Sequence, residues 1–553
     1  MTDTIIVNIS DEEFEYKKGI TLEDIANSYR GEKSTPIVAA KVDNILRELS
    51  YRLDEDSNIE FIDLSMDDGV RIYLRSLIFV FIRACNEVFP GCSVSIEHTL
   101  GNGLYCEIDG DFPMTPRQIK KIEDRMGQIV DQNEAFERIK VSIEDAKDIF
   151  NEMGFYDKMK ILKYRPENFV NLYKLGWMYD YLYGYMVPSA GYLKEFKLQF
   201  HLPGVVLLYP SKHSPDKVEH FKGSPKLFNV FRESEKWSRR IEINNAADLN
   251  RAIEEGRGGE LIRICEAQQE RAIAQIADDI SDHRDGVRVI LIAGPSSSGK
   301  TTFAQRLRVQ LMVSGLNPIS ISMDNYFLNR EDIPLNEAGE RDMESIDVID
   351  IELFNEHLTA LIQGQEVDMP YFNFERGARE YIGNVIQINE DQPIIIEGIH
   401  GLNERLTSMI PMANKYKIYI SALTQLNIDN HNRIPTTDTR LIRRMVRDKL
   451  FRGTPIEGTL SMWPLVRAGE EKYIFPYQEQ ADFMINSALI YELAVLKPYI
   501  LPLLREISKD SPHYIEANRL RKFMKYFVEL KPDDIPNNSI MREFIGGSCF
   551  EEV

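Results

Sequence analysis

Apolar and polar positions follow different rhythms along this chain. In TIIVNIS and EFEY they alternate with the period of half-buried strands, and a turn is expected at Ser10-Asp11. TLEDIANSY takes up helical spacing, with Thr21 placed to cap a free backbone N–H. VAAKVDNILREL and IEFIDL then return as short strands, closing a compact β-rich module. A second region spans residues 69–244. RIYLRSLIFVFIRACNEVF reads as a buried helix ended by Pro90-Gly91, and SVSIEHTL with LYCEID as a hairpin through Gly101-Asn102-Gly103. In PRQIKKIEDRMGQIVDQ, Ile119, Ile122, Met126 and Ile129 share one helical face. The stretch from AADLNRAI to AQIADDIS predicts a long helical connection interrupted at residues 256–259, and a domain boundary is expected there.

From about residue 286 strand and helix alternate. VRVILIAG is a continuous apolar run, as in a strand buried on both faces. TTFAQRLRVQLMVSG is helical, with Phe303, Leu307 and Leu311 on one stripe and Gly315 as its stop. PISISMD, QPIIIEG, YKIYIS and DFMINS are further strands, so a parallel α/β sheet is expected. The tail after Leu501 contains one helix, ANRLRKFMKYFVEL, followed by a Pro- and Asn-rich stretch. The expected domains are 1–65, 66–244, a connection at 245–285, 286–501, and a tail at 502–553.

Composition narrows the function. With 66 Lys+Arg against 87 Asp+Glu, the 553 residues carry a formal net charge of -21, which argues against a general footprint for duplex nucleic acid. It leaves room for a local basic pocket. Five scattered cysteines without a CxxC pair argue against a disulfide framework or a cysteine-based zinc site. No apolar run is long enough to span a bilayer, and the acidic N-terminus lacks the layout of a signal peptide, so a cytoplasmic setting is expected.

The sharpest chemical signal is GPSSSGKT at residues 294–301. Gly294 and Gly299 let backbone N–H groups approach phosphate oxygens, and the following helix points its positive end at them. Lys300 supplies a mobile charge for the β- and γ-phosphates, and Thr301 a hydroxyl for Mg²⁺. The nucleotide would lie along Gly294, Pro295, Ser296, Ser297, Ser298, Gly299, Lys300, Thr301 and Thr302. Two acids end predicted strands, where ligands of parallel sheets gather. Asp324 can take the proton of an attacking hydroxyl, or can cap the segment that follows it. Glu397 can hold Mg²⁺ or its water, or can be a strand-end turn residue. Arg440, Arg443, Arg444 and Arg447 recur at helical spacing, either as a phosphate-facing lid or as a solvated face.

In order along the chain, GPSSSGKT, SMDNYF, DMESIDVID, PYFNF, IIIEGI and RLIRRMVRD resemble the uridine kinase and phosphoribulokinase family of P-loop kinases. The resemblance covers roughly residues 286–501. It implies ATP and Mg²⁺ as cofactors and phosphoryl transfer to a sugar hydroxyl. It also implies Asp324 as catalytic base, Lys300 as phosphate ligand, Glu344 on ribose hydroxyls, Thr301 and Glu397 at the metal, and Arg443, Arg444 and Arg447 as lid arginines. Where uridine-cytidine kinases carry a tyrosine and a histidine that read the pyrimidine, this chain has Phe372 and Gly377, so its base preference is open. Phe372 can stack on a substrate base or belong to the core.

The N-terminal half resembles a different family. The first module is similar to a β-grasp TGS domain, and residues 69–210 to the second N-terminal domain of threonyl-tRNA synthetases. LRSLIFVFIRACNEVFPG, IEHTLGNGLYCEID and YGYMVPSAGYLKEFKL carry that likeness. The synthetase domain edits mischarged tRNA with HxxxH and CxxxH pairs; here those positions read Arg75, Phe79, Leu182 and Met186, so the hydrolytic site looks dismantled.

The expected fold is therefore an α/β P-loop kinase with a parallel sheet, preceded by two α+β domains, TGS-like and editing-like. The expected function is an ATP-dependent nucleoside kinase. The alternative is a nucleotide-regulated RNA-binding or sensing protein using the N-terminal half. A nucleoside or related sugar is the expected partner, with RNA contact and homo-oligomerisation left open and no membrane.

Overall fold

The computed structural model describes residues 4–550 except 11, 30–34, 284–285, 336–340, 343, 374–375, 390 and 425. Asp11 of the expected first turn, Met343 of DMESID, Phe374 of PYFNF and the last residues of the expected connection and tail lie outside the described residues.

Alternation in the first module places Val7, Ile9 and Ile59 on one buried face. Strands Glu12–Lys17, Thr4–Ile9, Ser57–Asp63, Ile37–Val42 and Ile45–Glu48 lie in that order, with the central pair Thr4–Ile9 and Ser57–Asp63 parallel. Helix Leu22–Tyr29 covers the face with Leu22 and Ile25, and Thr21 Oγ1 accepts from the Asp24 N–H at 3.1 Å. This is a β-grasp arrangement.

The second region is built around helix Asp67–Val88, whose residues from Ser76 to Cys85 are all buried. It packs with helix Pro116–Gln132, whose stripe of Ile119, Ile122, Met126 and Ile129 is buried as expected. The antiparallel sheet Lys197–His201, Gly204–Leu208, Gly103–Asp109, Ser93–Leu100 completes this core. A buried charge cluster joins the region to the rest of the chain. Lys158 Nζ lies 3.0 Å from Asp180 and 2.9 Å from Asp429, and His431 Nδ1 lies 2.7 Å from Asp180.

In the last region five strands form one parallel sheet in the spatial order Ile319–Ser322, Ile394–Glu397, Val289–Ala293, Lys415–Ser421, Phe483–Asn486. Val289–Ala293 is central and wholly buried, which is why it reads as an unbroken apolar run. One correction concerns the connection. Helices Ala246–Glu254 and Gly258–Asp282 are not a linker: Ile273, Ile276 and Ile280 pack in one core with Phe303 and Leu307 of helix Lys300–Val313. Arg306 reinforces the contact with a 2.6 Å bond to Glu270. A second correction concerns the tail, since Leu520, Phe523, Met541 and Phe544 belong to the same core. The hairpin Val367–Asn373 with Ala378–Ile386 was not anticipated. Among the described residues, no helix is long and apolar enough to cross a membrane.

Candidate active site

The central strand ends at Ala293, and the chain turns through residues 294–299 into helix Lys300–Val313. Ser297 (φ 58°) and Gly299 (φ 85°) adopt left-handed backbone there. A side chain at Gly294 would collide with the Ile420 carbonyl of the neighbouring strand. Among the described residues the amides of Gly299, Lys300 and Thr301 have no hydrogen-bond partner, so the helix presents unpaired donors at its positive end. That donor set fits a phosphate chain. Lys300 Nζ rests on the Gly294 and Pro295 carbonyls at 3.0 and 3.3 Å. Burial lowers its affinity for the proton, while Glu397, Glu543 and Asp324 pull the other way.

The acids arrive from adjacent strands. Glu397, at the end of Ile394–Glu397, accepts from Thr301 Oγ1 at 3.5 Å. Burial, helped by Asp324 and Glu543 and opposed by Lys300, pushes it up to about 7. A crowded carboxylate beside a hydroxyl fits a hard divalent cation, which would relieve that charge. Asp324 lies in the turn Met323–Tyr326 that follows Ile319–Ser322. The cap of that turn is Ser322, whose Oγ accepts from the Asp324 N–H at 3.3 Å. The Asp324 carboxylate is consequently not used as a cap and opens to solvent inside a crowded cleft. Burial by the cleft walls raises its pKa, against Lys300 and Arg452. Glu344 enters the same cleft beside Gly469, where an added Cβ would sit 2.5 Å from its own. Its pKa is raised by burial, with Arg444 the foremost opposing charge.

The arginines of helix Thr436–Phe451 depart from both expectations. Arg440 and Arg443 are 1% and 0% exposed, so they form neither a solvated face nor a free lid. Arg440 bonds the Ser296 carbonyl at 2.9 Å and pairs with Glu470. Arg443 is bound to Glu492 at 2.7 Å and to the Ser487 carbonyl at 2.9 Å, reaching the Ser297 carbonyl at 3.4 Å. Both hold the loop from behind. Arg444 reaches Ser296 Oγ at 2.8 Å, and Arg447 is paired with Asp448 at 3.0 Å. Phe372 is 5% exposed and edge-on to Phe327 at 5.6 Å, which makes it a packing residue rather than a free stacking platform. Gly377 has φ 63° against Arg330.

Two features escaped sequence reasoning. The tail returns over the loop: Ile540 packs on Gly299, and Glu543 Oε2 accepts from Thr302 Oγ1 at 2.8 Å and its N–H at 3.4 Å. The short helix Arg542–Ile545 carries no periodic signal that could have placed it there. His400 is buried and held neutral, its pKa lowered to about 4 by burial, edge-on to Tyr473. In the N-terminal half, Phe79, Leu182 and Met186 are core side chains, and Arg75 donates to the Tyr185 carbonyl at 2.8 Å.

Residues 289–491 match the Phosphoribulokinase / Uridine kinase family. The N-terminal region is similar to threonine–tRNA ligases. It is 32% identical over 185 residues to threonine–tRNA ligase 1 of Bacillus subtilis, and 30% identical over 185 residues to that of Desulforamulus reducens. Each match takes in 33% of this chain and 29% of the ligase, so the chain spans under a third of the length of these curated relatives. Among solved structures, a possible uridine kinase from Bacillus stearothermophilus is 18% identical, with a TM-score of 0.25, over 36% of this chain and 89% of that one. D-glycerate 3-kinase from Cryptococcus neoformans is 14% identical, with a TM-score of 0.22, over 48% and 89%. Residues 289–491 thus form a P-loop kinase domain that matches the Phosphoribulokinase / Uridine kinase family, carried behind a region that matches threonine–tRNA ligases.

Proposed function

We propose that this protein is an ATP-dependent nucleoside kinase, uridine-kinase-like, phosphorylating the ribose 5′-hydroxyl. The observation that carries the reading is the convergence of Lys300, Thr301, Asp324 and Glu397 at the carboxyl ends of three adjacent parallel strands. ATP with Mg²⁺ supplies the phosphoryl group and neutralises its charge. Thr301 and Glu397 are the residues that would hold the metal, and the loop amides with Lys300 the phosphates. Asp324 is free to accept the hydroxyl proton because Ser322 serves as the cap. Its raised pKa makes the carboxylate a stronger acceptor for that proton. Glu344 is assigned to the sugar hydroxyls. Arg444, on Ser296 Oγ, and Arg447 are assigned to the transferred phosphate, while Arg440 and Arg443 position the loop. Phe372, being buried, supports no pyrimidine readout, so the base is identified by assay.

The test is ADP release with ATP-Mg²⁺ across nucleosides and sugar phosphates. Asp324→Asn should lower kcat roughly a hundred- to ten-thousand-fold without altering nucleotide binding. Near wild-type turnover by the folded variant would remove Asp324 from the chemistry.

A further inference from the structure

An acidic chain has little reason to gather unpaired cations in one place, where they repel one another. Yet a cavity of about 520 Å³ lies between strand Ile45–Glu48, helix Asp67–Val88, strand Phe169–Leu175 and helix Tyr514–Met524. Nine lysines and arginines line it against two carboxylates, Asp68 and Glu167. Some of these cations are neutralised: Arg71 and Arg519 by Glu516, Arg519 also by Asp438, Arg138 by Glu48 and Lys525 by Glu167. Others are not. Arg75 donates only to the Tyr185 carbonyl, Arg521 only to Asn518 Oδ1, and Lys522 has no hydrogen-bond or ion-pair partner among the described residues. Arg47 lies over the Tyr51 ring with its Nε unbonded. Burial lowers the pKa of Arg75 to about 10, and burial together with Arg521, Arg138 and Lys525 lowers that of Lys522. These groups repel one another and gain from a shared anion.

The walls between the cations are aromatic: Tyr173, Tyr181, Tyr183, Tyr185 and Tyr526 all line the cavity. Arg165 bonds the hydroxyls of Tyr181 and Tyr526 at 2.9 and 2.8 Å. Arg165 already lies over the Tyr181 ring and Arg138 over the Tyr185 ring, but a lone inorganic anion would leave most of this space and the part-exposed Tyr183 ring unused. A phosphorylated nucleoside uses both, and the volume lies in the range of small-ligand sites. The net charge of -21 disfavours an extended polynucleotide track leading out of it. From this convergence of unpaired cations and tyrosines around one cavity, we propose that the cavity is a second nucleotide site, separate from the phosphate loop, which takes a free nucleoside phosphate. Its wall is tied to the kinase domain, because Arg519 holds Asp438 at 2.6 and 2.8 Å in the first turn of the helix that carries Arg440 and Arg443.

The test uses the full chain with Lys300→Ala to silence the phosphate loop, titrated calorimetrically with UMP, AMP and ADP and, in a second arm, with a short single-stranded RNA. One nucleotide should bind per chain, weakening as salt rises. Lys522→Glu, at a position with no partner to lose, should weaken it by about tenfold, the scale of one charge-assisted phosphate contact. Arg75→Met serves as the second variant, and each is used only if its unfolding midpoint matches the parent. The proposal is overturned if none of the three nucleotides binds at millimolar concentration, if neither variant weakens binding, or if only the RNA binds.

Discussion

Glu543 reaches the first turn of the phosphate-loop helix from the far end of the chain, and its removal makes a quantitative test. Its carboxylate takes the Thr302 hydroxyl at 2.8 Å and the Thr302 amide at 3.4 Å, at the helix end offered to phosphate. A bound polyphosphate must tolerate that charge or displace it. Two unit charges about 5 Å apart interact by ~3 kcal/mol at an effective dielectric near 20. Glu543 is half-buried, so solvent screening reduces this to roughly 1–2 kcal/mol. Glu543→Gln keeps the hydrogen bond to Thr302 and removes the charge, so the ATP KM should fall by about tenfold. The fall should shrink at high salt, and kcat should change little, because the interaction opposes binding in ground and transition states alike. The assay is initial velocity against ATP concentration at low and high ionic strength. An unchanged or increased KM would show that the carboxylate does not oppose phosphate, and the reasoning would fail.

Lys158→Met strands Asp180 and Asp429, both 0% exposed, and should cost about 3–5 kcal/mol. The lower end is expected, because His431 still serves Asp180 and Asn432 still serves Asp429. Urea unfolding measures it, and a loss under ~1 kcal/mol refutes the role of the cluster. Gly299→Ala combines a φ of 85° with a Cβ 2.5 Å from Ile540, so it should lower both thermal midpoint and nucleotide affinity, the backbone part alone costing roughly 1–2 kcal/mol. Glu97, Glu107 and Glu235 bring carboxylate oxygens within 4.8 Å of one another. Burial and like charge push Glu97 up to about 8 and Glu235 to about 7, above the ordinary 4.5. The folded chain therefore holds protons that the unfolded chain releases, and this contribution to stability is complete below 4.5 and is lost as pH rises through 8. Glu97→Gln should raise the unfolding midpoint more at alkaline than at acidic pH; equal shifts at both would contradict the assignment.

What the sequence determined by itself was local or strictly periodic. The unbroken VILIA run followed by GPSSSGKT encodes strand, loop and helix within a short stretch, because left-handed glycine, helix amides and a continuous apolar strand are properties of neighbouring residues. The stripe of Ile119, Ile122, Met126 and Ile129 was equally readable from its spacing. Tertiary structure decided everything that depended on distant partners. Helical spacing put Arg440, Arg443 and Arg444 on one face, but only Glu470, Glu492 and Ser296, brought in from other elements, turned that face into a support for the loop. Helix Gly258–Asp282 reads as a connection until Ile273 and Ile276 meet Phe303. Glu543 over Thr302, and the cations gathered around Tyr183, unite residues hundreds of positions apart. Such encounters rest on the summed packing of whole domains, and no window of sequence contains that sum.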